Sequence, residues 1–161
     1  MAKVNLGVIG LGRMGQIYAY HAARQIPNAA LVAVADPRAE VTTPFAAQVG
    51  GVTVYADHRA LLAHPGLDAV IVATSTATHH DVVIDAAHEG KQIFCEKPMS
   101  LSLQATDDML AAVQKAGVIC QVGFMRHFDD GYVAAKRKID DGVIGQPVTI
   151  RSIGRDPYRT S

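Results

Sequence analysis

Short β-rich, mainly apolar runs alternate along this chain with longer segments in which apolar residues recur every three or four positions. The runs are Val4–Ile9, Leu31–Ala35, Val52–Tyr55, Ala69–Ala73, Gln92–Cys95 and Val118–Val122, each of strand length. Ala69-Val70-Ile71-Val72-Ala73 has no polar position at all, as expected of a parallel strand covered on both faces. Between the runs, the spacing predicts helices near Met14–Gln25, Pro44–Val49, Asp57–Ala63, His79–Glu89 and Leu103–Lys115. Gly90 and Gly117 stand just past two of these, where a left-handed cap belongs, and Ser102 stands where a helix start can be capped. Strand–helix alternation of this kind predicts an α/β fold: a doubly wound parallel sheet with helices on both faces, complete in six strands by Val122.

The pattern changes after that strand. Phe128, Tyr132, Ala135 and Ile139 share one face of a helix ending near Gly142, and Val148 to Ile153 alternates as a strand with one wet face. A seventh strand has no place in a finished sheet. The expected organisation is therefore one domain over residues 1–126. Residues 127–161 would supply an exit helix and the first strand of an α+β substrate domain lying outside this chain.

Chemistry first becomes legible at Gly10-Leu11-Gly12-Arg13-Met14-Gly15, directly after the first apolar run. A strand that ends in Gly-x-Gly-x-x-Gly and turns at once into a helix brings backbone N–H groups against a pyrophosphate, and the helix start adds partial positive charge. About 20 residues beyond Gly15, the second run ends in Asp36, where dinucleotide folds place the acid that accepts the adenosine ribose hydroxyls. Such an acid repels a 2′-phosphate, so NAD is favoured over NADP. Arg38 tempers the preference, because a nearby Arg accommodates the extra phosphate.

Composition removes other classes. With 15 basic and 15 acidic residues in 161, nothing suggests a nucleic-acid groove or an anionic membrane surface. The apolar runs fall well short of the roughly 20 residues that span a bilayer, and the chain enters its first strand without a signal layout. Cys95 and Cys120 lack metal spacing and read as small strand residues in a reducing cytoplasm. The adjacent His79 and His80 point in different directions on a helix with no third ligand in view. No metal is expected, and surface or capping roles suit both better.

A second signal lies at the end of the fifth run, where Cys95-Glu96-Lys97-Pro98 holds a Lys at the edge on which open α/β sheets bind ligands. Together with Gly10–Gly15, Asp36, Ala73-Thr74-Ser75-Thr76 followed by His79, and Gln121-Val122-Gly123-Phe124-Met125-Arg126, this resembles the glucose–fructose oxidoreductase, inositol dehydrogenase and MocA family of NAD(P)-dependent sugar dehydrogenases. The last stretch looks closest to the inositol 2-dehydrogenases. The resemblance implies a Rossmann domain with Lys97 as the catalytic lysine on the reacting hydroxyl. Glu96 and Pro98 would shape the turn near the nicotinamide. Thr74, Ser75 and Thr76 would border the cofactor ribose and phosphates, with His79 beside them, and Gln121 and Arg126 would lie near the nicotinamide end.

The chain also departs from that family. The family's acid–base His, usually four residues after an Asp, has no counterpart: His127 is the one histidine after Lys97, and it stands where a second Arg is expected. These features imply the cofactor half of a dehydrogenase acting on a sugar or an inositol-like cyclitol, binding NAD with little or no turnover by itself. An uncovered strand and helix face predict a homo-oligomer. Two other readings are a non-enzymatic dinucleotide-binding sensor or interaction module, which would not need Lys97, and a site for another nucleotide such as S-adenosylmethionine.

Overall fold

The computed structural model of the chain describes residues 3–154, and the chain divides into two units between Gly123 and Phe124. The first unit carries six strands: β1 (Val4–Ile9), β2 (Ala29–Ala35), β3 (Thr53–Tyr55), β4 (Ala69–Val72), β5 (Gln92–Cys95) and β6 (Cys120–Val122). Its helices are α1 (Arg13–Arg24), α2 (Ala39–Val49), α3 (His58–Leu62), α4 (Thr76–His88) and α5 (Leu103–Ala116). All pairings are parallel, in the order β3-β2-β1-β4-β5-β6. The chain winds outward from β1 through β3 and then returns to the other side of β1, so the order reverses between β1 and β4. At such a switch point neighbouring crossovers leave in opposite directions and a crevice opens at the strand ends.

Alternation along the strands divides the core. Val8 and Val34 face α1 and α2, packing with Leu11, Ala19, Phe45 and Val49. Ile9, Ala33, Ala35, Val70, Val72, Ile93 and Cys95 face the other way, onto Leu61, Val83, Ala86 and Met109 of α3, α4 and α5. The central strand β4 is a continuous apolar run because both of its faces are covered.

Local chemistry sets the helix ends. Asp57 and Ser102 cap α3 and α5 by accepting the amides of Ala60 and Ala105 at 2.9 and 3.2 Å. Two expectations shift. The second helix begins at Ala39 and not at Pro44, because a proline within a helix removes one donor without preventing the earlier turn, which the amides of Val41 and Thr42 close onto the Arg38 carbonyl. The fourth begins at Thr76, ahead of His79, with Ser75 at its N-cap.

In the second unit a short 3-10 helix (Met125–Phe128) precedes α6 (Asp130–Asp140), whose N-terminus Asp129 caps by accepting from the amides of Gly131 and Tyr132. The Arg126 guanidinium pairs with Asp129 at 3.1 Å and lies over the Tyr132 ring. The strand expected over Val148–Ile153 does not form: these residues carry no ladder, and Val148, Ile150 and Ile153 are exposed. Alternation prepares a strand, but only a paired neighbour makes one, and none lies beside this segment among the described residues.

Core and surface leucines separate in a simple measurement. Leu61→Ala, at a fully buried site, should lower unfolding free energy by about 2–5 kcal/mol in urea titration. Leu103→Ala, on the exposed first turn of α5, should stay within about 0.5 kcal/mol of the parent.

Candidate cofactor site

Register places the site. Ile9 pairs with both Ala35 and Val72, Val72 with Cys95, Cys95 with Val122, and Ala35 with Tyr55. The first residue past each strand therefore sits at one level: Gly10, Asp36, Ala56, Ala73, Glu96 and Gly123. Five of them donate their N–H back to the last carbonyl of the neighbouring strand: Gly10 to Ala35, Asp36 to Tyr55, Ala73 to Ile9, Glu96 to Val72 and Gly123 to Cys95, at 2.8–3.2 Å.

The glycines of the first loop serve different needs. Gly10 has φ +90°, and a Cβ there would lie 2.8 Å from the Ala73 carbonyl and the Thr74 Cα. A Cβ on Gly15 would overlap the Gly10 carbonyl oxygen, so α1 can approach the loop only with glycine there. Gly12 is unlike both. Its backbone (φ −66°, ψ −173°) suits any residue, and a Cβ on it would meet no protein atom within 4 Å. Gly12 lines a cavity of about 600 Å³ over the ends of β1, β2 and β4, and α1 begins there with no side-chain cap on its first amides. The fold does not need glycine at this position. The side of Gly12 on which a Cβ would stand is open space, and the uncapped first amides of α1 have the polarity that suits an anion.

Asp36 also lines the cavity and is 6% exposed. Its Oδ2 accepts the Leu11 amide at 2.8 Å and Arg38 Nη2 at 2.8 Å, and its Oδ1 accepts Arg38 Nε at 2.8 Å and the Arg38 amide at 3.1 Å. The hydrogen bonds from the Arg38 side chain, opposed by burial and reinforced by the Leu11 and Arg38 amides, hold this carboxyl down at about 2. The bond to Leu11 fixes the glycine loop against the end of β2.

The loop after β4 is closed on itself by Thr78, whose hydroxyl donates to Thr74 Oγ1 at 2.8 Å and lies 2.9 Å from the Ser75 carbonyl oxygen. His79 overturns its expected surface or capping role. It is 1% exposed, with Nδ1 3.0 Å from the Pro98 carbonyl oxygen and Nε2 3.3 Å from that of Thr74. A polar ring is tolerated at this depth because its N–H can donate to a backbone oxygen. His79 thus ties the loop after β4 to the turn carrying Lys97. Glu96 braces that turn from the other side: it accepts the Lys97 amide at 2.9 Å and the Tyr18 hydroxyl of α1. Burial, then the Glu96 carboxylate, raises the Tyr18 phenol above its ordinary range. Lys97 itself is exposed and makes no side-chain hydrogen bond among the described residues.

Of the residues singled out from sequence, the cavity brings together Gly10, Gly12, Asp36, Arg38, Thr74 and Ser75. Arg13, Met14, Gly15, Thr76, His79, Glu96, Lys97, Pro98 and Gln121 do not line it, and Arg126 lies in the second unit. Ala56, Asp57, His58, Thr78, Asp81 and Val82 do line it and were missed. His58 is held by Asp85 at 2.8 Å. Its one available signal was position: it follows the strand that pairs with the end of β2. Among the described residues no cluster of three or more His, Cys, Asp or Glu could hold a metal, and no helix is long and apolar enough to cross a membrane. Cys95 is buried and Cys120 half-buried; both are free thiols, and burial pushes Cys95 up to about 12.

Strand order, switch point and glycine loop define a dinucleotide-binding domain of the Rossmann type. The chain belongs to the Gfo/Idh/MocA oxidoreductase family: residues 4–124 match its NAD-binding Rossmann fold. It is 45% identical over 154 residues to the scyllo-inositol 2-dehydrogenase (NAD(+)) of Bacillus subtilis, covering 96% of this chain and 45% of that protein. Against the myo-inositol 2-dehydrogenase of Thermotoga maritima it is 40% identical over 154 residues, covering 96% and 46%. Among solved structures it superposes on scyllo-inositol dehydrogenase from Lactobacillus casei, with bound NAD(H) and scyllo-inositol, with a TM-score of 0.85 at 31% identity. That match covers 89% of this chain and 42% of the other. The chain spans a little under half the length of these relatives.

Asp36 makes acid stability a readout of the site. Its carboxyl titrates near 3.8 when unfolded and near 2 when folded, so its contribution is complete above about pH 4 and is lost as pH falls through about 2. Asp36→Asn should remove about 2 kcal/mol of pH-dependent unfolding free energy between those limits in urea titrations. An unchanged acid limb would refute this assignment.

Proposed function

We propose that this chain is the cofactor-holding part of an NAD-dependent dehydrogenase acting on a ring hydroxyl of a cyclitol or sugar. The observation that carries the reading is Gly12, a glycine the fold does not require, facing a cavity between unpaired helix amides and a buried carboxylate. Those amides would receive the pyrophosphate and Asp36 the adenosine ribose, with NAD preferred to NADP by the acid. When bound, nicotinamide supplies the hydride acceptor. Beyond β4, the level strand ends lead to the Lys97 turn, which Glu96 and His79 hold in place. From there Lys97 would contact the reacting hydroxyl and share its proton.

Inositols are the favoured substrate class because the similar dehydrogenases are named for them. The chain alone is assigned cofactor binding with little or no turnover. Exposed Phe124, Met125 and Phe128 support self-association as a homo-oligomer, and the free cysteines support a reducing, cytoplasmic setting.

Gly12→Val separates the reading from a merely structural loop. Calorimetric titration should show NAD affinity falling at least about tenfold. The melting temperature should move by no more than about 2 °C, since a Cβ at this position meets no protein atom within 4 Å. NAD bound equally well by parent and variant would sink the proposal. Lys97→Ala should leave NAD affinity unchanged.

A further inference from the structure

Glu96 and Lys97 are neighbours of opposite charge, yet their side chains do not pair among the described residues. Such groups on one exposed turn ordinarily close on each other, though weakly. Here the acid is engaged elsewhere. Its Oε2 accepts the Lys97 backbone amide at 2.9 Å, and its Oε1 accepts the Tyr18 hydroxyl from α1. Each oxygen has a donor, and neither donor is the ammonium.

Packing supports that arrangement. The Tyr18 ring meets Phe94 of β5 edge-on, with centroids 5.5 Å apart and planes at 67°. A Cβ on Gly123, the first residue past β6, would lie 3.0 Å from Phe94 Cζ and 3.3 Å from Glu96 Oε1. A side chain there would crowd both the ring and the carboxylate. Burial, then Glu96, raises the Tyr18 phenol, so its hydroxyl keeps its proton and remains a donor.

We infer that Tyr18 is a positioning residue for Lys97: its hydroxyl holds the Glu96 carboxylate toward α1 and keeps that charge from capturing the neighbouring ammonium. This rests on the reading of Lys97 as the lysine that meets the reacting hydroxyl. A lysine paired with the acid beside it would spend its donors on that acid, whereas sharing a proton with a substrate hydroxyl requires them free. Tyr18 also ties the turn to the helix whose N-cap, Gly12, lines the cavity. Cofactor loop and lysine turn are thereby braced by one helix.

Competitive acetylation tests the inference. The parent chain, Tyr18→Phe, Glu96→Gln and the double variant are treated with limiting acetic anhydride. Peptide-resolved mass spectrometry then compares Lys97 with exposed Lys115 of α5. Phenylalanine keeps the edge contact with Phe94 and removes only the hydroxyl. In Tyr18→Phe the released carboxylate should pair with the ammonium about half to four-fifths of the time, slowing Lys97 about 2- to 5-fold against the parent. Glu96→Gln and the double variant have no carboxylate to pair, so both should react at the parent rate. Saturating NAD should slow Lys97 in the parent, because the nicotinamide comes toward that turn. If NAD has no such effect, the reading of Lys97 fails and the role of Tyr18 with it. If NAD slows Lys97 in the parent, two results overturn the role of Tyr18 while the reading of Lys97 stands. One is Lys97 reacting in Tyr18→Phe as fast as in the parent; the other is Lys97 staying slow when Glu96 is replaced as well.

Discussion

Level strand ends are the constraint on which everything else in this molecule depends. Five of the six first residues past the strands donate their amides to the neighbouring strand's last carbonyl, so the sheet stops along one line and not in a staircase. That line is assembled from segments far apart in sequence. It sets Gly10 against Ala73, Asp36 beside the glycine loop and Glu96 one strand further on. A one-residue slip at a central strand would move each side chain into the packing of the opposite face, so the close-packed cores on both sides of the sheet enforce the alignment. Packing and site geometry are one requirement here.

Side chains then convert that line into a fixed surface. Asp36 ties the end of β2 to the glycine loop, Thr78 closes the loop after β4, and His79 joins that loop to the Lys97 turn. Glu96 carries the connection back to α1 through Tyr18. The two helices whose starts flank the cavity therefore also brace the lysine. Lys97 on that braced turn is exposed, and its ammonium makes no hydrogen bond among the described residues.

The sequence was readable where the determining forces are local. β1 and β5 match their expected limits because an apolar run bounded by turn residues is a local statement. The glycine fingerprint and Asp36 were equally accessible, since their spacing reflects one strand–turn–helix unit. Pro44 misled because a breaker's statistical weight exceeds the single hydrogen bond it removes in this helix. Ala56, His58 and Asp81 were invisible because only cross-strand register brings them to the cavity. The burial of His79 depends on the Pro98 carbonyl, which comes from the turn after the next strand. Val148–Ile153 shows the reverse case, a pattern fully legible and still not a strand, because pairing is not encoded in one strand alone.

We propose that a dinucleotide lies along the line of strand ends, with its adenosine at β2 and its nicotinamide toward Lys97. A crystal structure of the chain with NAD bound is the decisive experiment. It should show the pyrophosphate against Gly12 and the first amides of α1, the adenosine ribose on Asp36, and the nicotinamide ring over the ends of β4 and β5. A dinucleotide seated away from Gly12, or lying with its nicotinamide over β2, would contradict it.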